Sequence, residues 1–507
     1  MSTDPTAPQP RVIVLCFDGT ANQYSAANTN VVKFYALLDK CCPPDQIVYY
    51  QPGIGTWFNP GVVSPFLTWL AKIADEAIAW YLDEHVRGGY KFLMQNYRQG
   101  DKVCLFGFSR GAYTARALAG LLHKIGLLPR DNEEQIAFAY SLYTRTDKAG
   151  LEIAAGFKQT FCAPVTIDFV GVWDTVASVG LIYSRNLPFT TANSGVRVFR
   201  HALSLDEHRA RFQPNLFHRE TPKQAAKRKK GESKPTNPVN ATTSPNSEDD
   251  ERTKPRSRPK FGFTRWGITV QRLSSEEQHR VPGVDRGVPS SPKALSPERR
   301  VLSGTSSEVL TTSEPLPAVQ EVWFVGCHAD VGGSAVEDTV RYSLADISLR
   351  WMVKQVILSQ CGIRFDAAAL KRADIDVATI ALAGAVLPTS PSSSGGNGSG
   401  GYITRKGKER DVEEQNWPRE EDVLADIHDE LKIHPLWWIL EIVPMKFKWQ
   451  EADGTWKSEW SVNLGRGRQI RTEQPDFHDT VRQRMAVVEL KYQPRAKWTR
   501  GTERYVD

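Results

Sequence analysis

Gly107-Phe108-Ser109-Arg110-Gly111 has the form G-x-S-x-G, and its neighbours give it a structural context. The run Lys102 to Phe106 reads as a strand, and Ala112 to His123 reads as a helix. A serine on such a strand-to-helix turn projects its hydroxyl clear of the backbone, and the flanking glycines remove Cβ clashes in the bend. The helix N-terminus adds unpaired N–H groups and the positive end of a dipole, where charge would develop on a tetrahedral intermediate. The chemistry expected is nucleophilic attack by Ser109.

A serine hydroxyl is a weak nucleophile near neutral pH and needs a base that a carboxylate orients. Asp174, in Val172-Trp173-Asp174-Thr175, and His328, in Gly326-Cys327-His328-Ala329-Asp330, follow Ser109 in the chain order of α/β-hydrolases. Each comes directly after an apolar, strand-like run, and in a parallel sheet such strand ends gather at one edge. His201, His208, His434 and His478 are rival bases; none follows so clear a strand, and His201 to Phe212 reads as helix-like. Asp330 is a rival acid, but it lies two residues from His328 and is better read as shaping that loop.

The oxyanion hole is expected to use the backbone N–H of Arg110, the residue after the nucleophile. Asp18-Gly19-Thr20, closing the first apolar run, is the best source of a second donor, with Gly19 and Thr20 as candidates. Asp18 is expected to support that loop, by an ion pair with Arg110. Phe17-Asp18-Gly19-Thr20 also echoes the D-x-D-G-T motif of haloacid-dehalogenase-type phosphatases, but Cys16 stands where the nucleophilic aspartate belongs.

The elements that must position these groups follow a βα alternation. Val12 to Phe17, Ile47 to Tyr50, Val165 to Val172 and Glu321 to Val325 read as strands; Asn30 to Leu38, Phe66 to Tyr97, Gln135 to Tyr143 and Leu344 to Leu358 read as helices. Near-continuous apolar strands predict an α/β fold: a mostly parallel, α/β-hydrolase-like sheet with helices on both faces. Residues 1–10 read as a tail, 11–220 and 318–387 as two parts of the core, and 388–416 as a Ser/Gly-rich and charged linker. Residues 417–507 read as a small Trp-rich accessory region, with a hairpin around Asp453-Gly454. Between the core parts, 221–317 is rich in Lys, Arg, Ser and Pro and is expected to be mostly disordered.

The 507 residues are 40% hydrophobic, enough for a sizeable core, and the net charge of +6 is modest. No apolar run suits a signal peptide or a membrane span. Cys16, Cys104 and Cys327 fall in buried strands or their ends, and seven cysteines in a long chain suit a reducing compartment. The expected location is cytoplasmic, with a nuclear or membrane-associated one also open. No His/Cys/Asp cluster has clear metal-ligand spacing, so no cofactor or metal is expected, and no nucleic-acid partner.

Several of these motifs together resemble one family. They are Cys16-Phe17-Asp18-Gly19-Thr20, the stretch from Leu105 to Arg116, Trp173-Asp174-Thr175, Ala202 to Glu207, His328-Ala329-Asp330-Val331-Gly332-Gly333 and Trp437 to Glu441. The set is similar to an α/β-hydrolase domain of uncharacterised fungal and bacterial proteins. That domain also forms the catalytic part of type VI secretion phospholipase effectors. The resemblance spans most of 10–220 and 320–445. It implies a Ser-Asp-His hydrolase, carried on Ser109, Asp174 and His328. The basic insertion before Glu321 and the lack of an obvious delivery domain depart from a secreted toxin. A lipid or phospholipid ester is the leading substrate. Gly53 to Trp80 could form an apolar wall or lid for it, and Trp437-Trp438 could make a peripheral membrane contact. A soluble ester or thioester is the alternative substrate, and a non-catalytic scaffold the alternative function.

Overall fold

Strand β1 (Val12–Phe17) shows why the strands read as unbroken apolar runs. Val12, Val14 and Cys16 enter one core, while Ile13, Leu15 and Phe17 enter another on the opposite face. Both faces are covered by helices, so neither set of alternating positions meets water. The first core packs against the helices Asn30–Leu37 and Leu344–Ser359. The second packs against Asp75–Asn96, Ser109–Ile125, Ile136–Thr144 and Lys148–Phe161.

The computed structural model describes residues 10–19, 22, 24–40, 45–53, 75–176, 187–190, 195–218, 318–376, 420–451 and 453–507. By contacts, the chain divides into Met1–Gly231 with Ser313–Asp507, and Glu232–Thr312; every described residue lies in the first unit. After β1 the strands are β2 (Gln46–Gln51), β3 (Lys102–Phe108), β4 (Ile167–Trp173), β5 (Val196–Ser204), β6 (Val319–Phe324), β7 (Met445–Gln450), β8 (Trp456–Ser461), β9 (Asp476–His478) and β10 (Arg504–Val506). Eight of them form one sheet in the order β10-β9-β6-β5-β4-β3-β1-β2. Every pairing in it is parallel, the α/β architecture that the sequence predicts. Strands β7 and β8 pair antiparallel as the expected hairpin.

Two readings are corrected. His201 lies in β5, not in a helix. Two of the polar residues in the strand, Arg200 and His201, are fully buried and find hydrogen-bond partners inside. Arg200 donates to Gln355 Oε1 (2.7 Å), and His201 lies between Glu321 Oε1 (2.9 Å) and the Thr175 N–H (3.0 Å). Of the expected helix Phe66 to Tyr97, the described residues include Asp75–Asn96, which is one unbroken helix, while residues 66–74 lie outside them. The C-terminal region is not accessory to the core: β9 and β10 extend the same sheet beyond β6. The tail, the bulk of the expected lid, the basic insertion with Lys227 to Lys230, and the Ser/Gly linker lie outside the described residues. Among the described residues no helix is long and apolar enough to cross a membrane.

Candidate active site

Strand β3 runs directly into the helix Ser109–Ile125, with Phe108 as the capping residue and Ser109 as the first helical position. Ser109 has φ of +56°, a left-handed backbone that a side-chain-bearing residue adopts at a cost. The turn is tight because the helix abuts β1: a Cβ on Gly111 would lie 2.2 Å from the Phe17 carbonyl oxygen. The first N–H groups of the helix, Arg110 among them, have no partner within it, and no acidic side chain occupies the first turn. Burial and the nearby charge of Arg211 push the Arg110 guanidinium down to about 10.

Asp174 directly follows β4, with φ of +36°, and is fully buried. His328 opens a one-turn helix, His328–Gly332, after β6. His328 Nδ1 and Asp174 Oδ2 are 2.5 Å apart. A carboxylate can only accept, so Nδ1 carries the proton and Nε2 keeps a lone pair. The imidazole lies between the rings of Phe108 (4.6 Å) and Phe212 (4.8 Å), next to the residue that precedes Ser109. Gly332, one turn on, packs so closely on Phe108 that a Cβ there would lie 1.9 Å from the ring.

Asp174 has a second partner that the sequence did not disclose. Arg468 grips it from the C-terminal region, Nη1 donating to Oδ1 (2.6 Å) and Nη2 to Oδ2 (2.9 Å). The same guanidinium donates to Ser204 Oγ (2.7 Å), the Ser204 carbonyl (3.0 Å) and the Phe212 carbonyl (2.5 Å). The Ser204 N–H donates to Asp174 Oδ1 as well (3.0 Å). Burial alone would push the Asp174 carboxyl up; the Arg468 charge and the hydrogen bonds from His328 and Arg468 outweigh it and hold the acid well below its ordinary range. For His328 burial wins over the raising effect of Asp174, so its pKa lies below the ordinary histidine value and the ring is neutral at pH 7.

Glu207 is a further residue without an assigned role in the sequence. Its Oε2 accepts the His328 backbone N–H (3.2 Å), and Arg209 bonds both of its oxygens. Burial raises the Glu207 carboxyl, but the charges of Arg209, Arg468 and His328 bring it down to about 2. It is thus an ionised strut beneath the histidine loop. Asp330 bonds within that loop and beyond it: Oδ2 accepts the Cys327 N–H (2.8 Å), and Oδ1 meets His428 Nδ1 (2.8 Å). The rival His208 is tied to Asp429 (2.7 Å) and the Gly465 carbonyl (3.0 Å).

The first loop differs from expectation. Asp18 does not pair with Arg110. Its Oδ1 accepts from Thr29 Oγ1 (2.8 Å) and the Gly19 N–H (2.7 Å), and its Oδ2 accepts from Tyr50 (2.7 Å). Three short-range donors satisfy the buried carboxylate without a charge. The Gly19 N–H is therefore engaged, which argues against it as an oxyanion donor, and Thr20 lies outside the described residues. Among the described residues no group of three His, Cys, Asp or Glu side chains could hold a metal ion.

A sheet with a strained serine after one strand and a hydrogen-bonded Asp–His pair after two others has the layout of a hydrolase. Residues 11–355 match the family described as "T6SS, Phospholipase effector Tle1-like, catalytic domain", and the chain belongs to that family. It is 27% identical over 536 residues to the uncharacterized protein YEL023C of Saccharomyces cerevisiae (strain ATCC 204508 / S288c), covering 90% of this chain and 76% of the yeast protein. A solved structure of an uncharacterized protein from Pseudomonas aeruginosa aligns at 17% identity and a TM-score of 0.33, over 74% of this chain and 49% of the other. The Tle1 effector, solved bound to the VgrG spike of the Type 6 secretion system, aligns at 18% identity and a TM-score of 0.24, over 41% and 48%. The chain spans about half the length of these two solved proteins. Arg468 and the strands β7 to β10 lie beyond the matched residues.

Proposed function

We propose that this chain is a serine hydrolase that cleaves carboxylic esters of lipids, with Ser109 as nucleophile, His328 as base and Asp174 as the orienting acid. The observation that carries the reading is the His328–Asp174 hydrogen bond, at the sheet edge where the strained β3 turn presents Ser109. Membership of a phospholipase effector family supports the lipid ester as substrate. In the proposed reaction Nε2 of His328 takes the Ser109 proton as Oγ attacks the acyl carbon. Asp174 stabilises the imidazolium so formed, and the Arg110 N–H stabilises the oxyanion. The imidazolium then protonates the leaving alcohol. Water, activated by the same ring, releases the acid from the acyl-enzyme.

A fluorophosphonate probe tests this, because only an activated serine reacts with it. The wild-type chain should take up one label, and Ser109→Ala none. A wild-type chain that takes no label and turns over nothing in a panel of lipid and short-chain esters would overturn the assignment.

A further inference from the structure

Residues 433–443 are inside out. The segment is IHPLWWILEIV, and its large apolar side chains face water: Ile442 is 61% exposed, Ile439 50% and Trp438 45%. Its charged residue, Glu441, is the one buried. The Glu441 carboxylate accepts the Ala210 N–H (2.6 Å), Asn463 Nδ2 (2.6 Å) and the Gly465 N–H (2.9 Å). Trp438 Nε1 donates to the Leu431 carbonyl (3.2 Å). These bonds hold the segment in place, so its outward apolar face is a built feature and not a frayed end. An exposed apolar run of this kind marks a surface that meets another apolar phase.

The hairpin that follows says which phase. In its register Lys446 pairs with Trp460, Lys448 with Ser458 and Gln450 with Trp456, so these six residues share one face. Trp456 and Trp460 are each 55% exposed, both lysines are exposed, and the face carries no acidic residue. Tryptophan and lysine interleaved at a surface suit the headgroup level of a bilayer: the indole straddles the boundary and the ammonium meets anionic lipid. The face carries cations without anions beside an apolar segment, the arrangement that an anionic lipid surface complements. The segment also adjoins the site, since Phe212 packs against both Trp437 (5.6 Å) and His328 (4.8 Å).

We propose that residues 433–443 and the Lys446, Lys448, Trp456 and Trp460 face of the hairpin seat this protein on an anionic lipid bilayer, with Ile439 and Ile442 entering the boundary between headgroups and acyl chains. The proposal rests on the lipid-ester reading for what seating achieves, which is delivery of an ester to the site beside Phe212; the binding itself does not require catalysis.

The test is co-sedimentation of the full chain with phosphatidylcholine vesicles, with and without phosphatidylserine, alongside turnover of a water-soluble short-chain ester and Tm. Wild type should bind the phosphatidylserine-containing vesicles, and added salt should weaken the binding. Ile439→Asp with Ile442→Asp should bind about tenfold or more weakly. Lys446→Glu with Lys448→Glu should lose the preference for phosphatidylserine. Both double variants should keep wild-type Tm and short-chain turnover. The proposal is overturned if wild type binds neither vesicle, if the isoleucine variant binds as wild type does, or if the variants instead dissociate a dimer. Vesicle binding that the variants abolish, in a chain that hydrolyses nothing, would uphold the surface while refuting the hydrolase.

Discussion

At the residue scale the decisive feature is the double hold on Asp174, by His328 on one side and Arg468 on the other. Ser109→Ala and His328→Ala should each lower kcat by about 10⁴-fold or more, because nucleophile and base act as one unit; steady-state kinetics on any ester found for the wild type checks this. The depressed pKa of His328 fixes the sign of the pH profile. The base must be neutral, so kcat/KM should fall as pH falls through a limb below about 6.5. Arg468→Gln leaves the acid with one cationic partner fewer. The unneutralised Asp174 then favours the imidazolium, so the acid limb should move to higher pH. Removing one member of a buried ion pair should also cost about 3–5 kcal/mol of stability. Arg468→Lys keeps the charge but not the two-pronged grip, and should recover part of both losses. A pH profile that does not move in Arg468→Gln would show that Arg468 is structural only.

At the scale of elements, the site depends on how closely three strand ends approach one another. Gly111 lets the elbow helix meet β1, and Gly332 lets the histidine loop meet Phe108. Gly332→Ala should shift the loop that carries His328, lowering kcat/KM and destabilising the fold by about 1–3 kcal/mol; denaturant titration beside kinetics would detect both. The ends of β3, β4 and β6 were legible in the sequence because each catalytic candidate follows an apolar run, the pattern that a doubly covered parallel strand requires. β5 was not legible, since Arg200 and His201 interrupt its pattern and their partners Gln355 and Glu321 come from distant elements. The Asp18 carboxylate was misassigned for a related reason. A charge near Arg110 suggests an ion pair, yet Thr29, Tyr50 and the adjacent N–H already satisfied it. Arg468 left no periodic signal at all, because it sits in a loop 294 residues from Asp174.

At the scale of the whole molecule, the insertion between β5 and β6 and the C-terminal region contribute unequally to what is expected of deletions. Replacing Glu232–Thr312, set apart by contacts, with a short Gly/Ser linker should leave Tm at its wild-type value and kcat/KM within about twofold, since closing a long or a short loop differs by only about 0.6 kcal/mol per doubling of length. Loss of folding in that variant would show the segment to be structural. Ending the chain after Ser461 should instead abolish activity and lower Tm sharply, because it removes Arg468, β9 and β10 together. The grip of Arg468 on Asp174 thus orders events during biosynthesis. Ser109, Asp174 and His328 all leave the ribosome well before Arg468 does. Until translation passes that residue, the acid lacks its guanidinium, and the sheet lacks β9 and β10. Under the proposed mechanism a nascent chain therefore carries every group of the triad before its acid gains the counter-charge that completes the site, and a chain cut short in the cell should show little of the proposed ester hydrolysis.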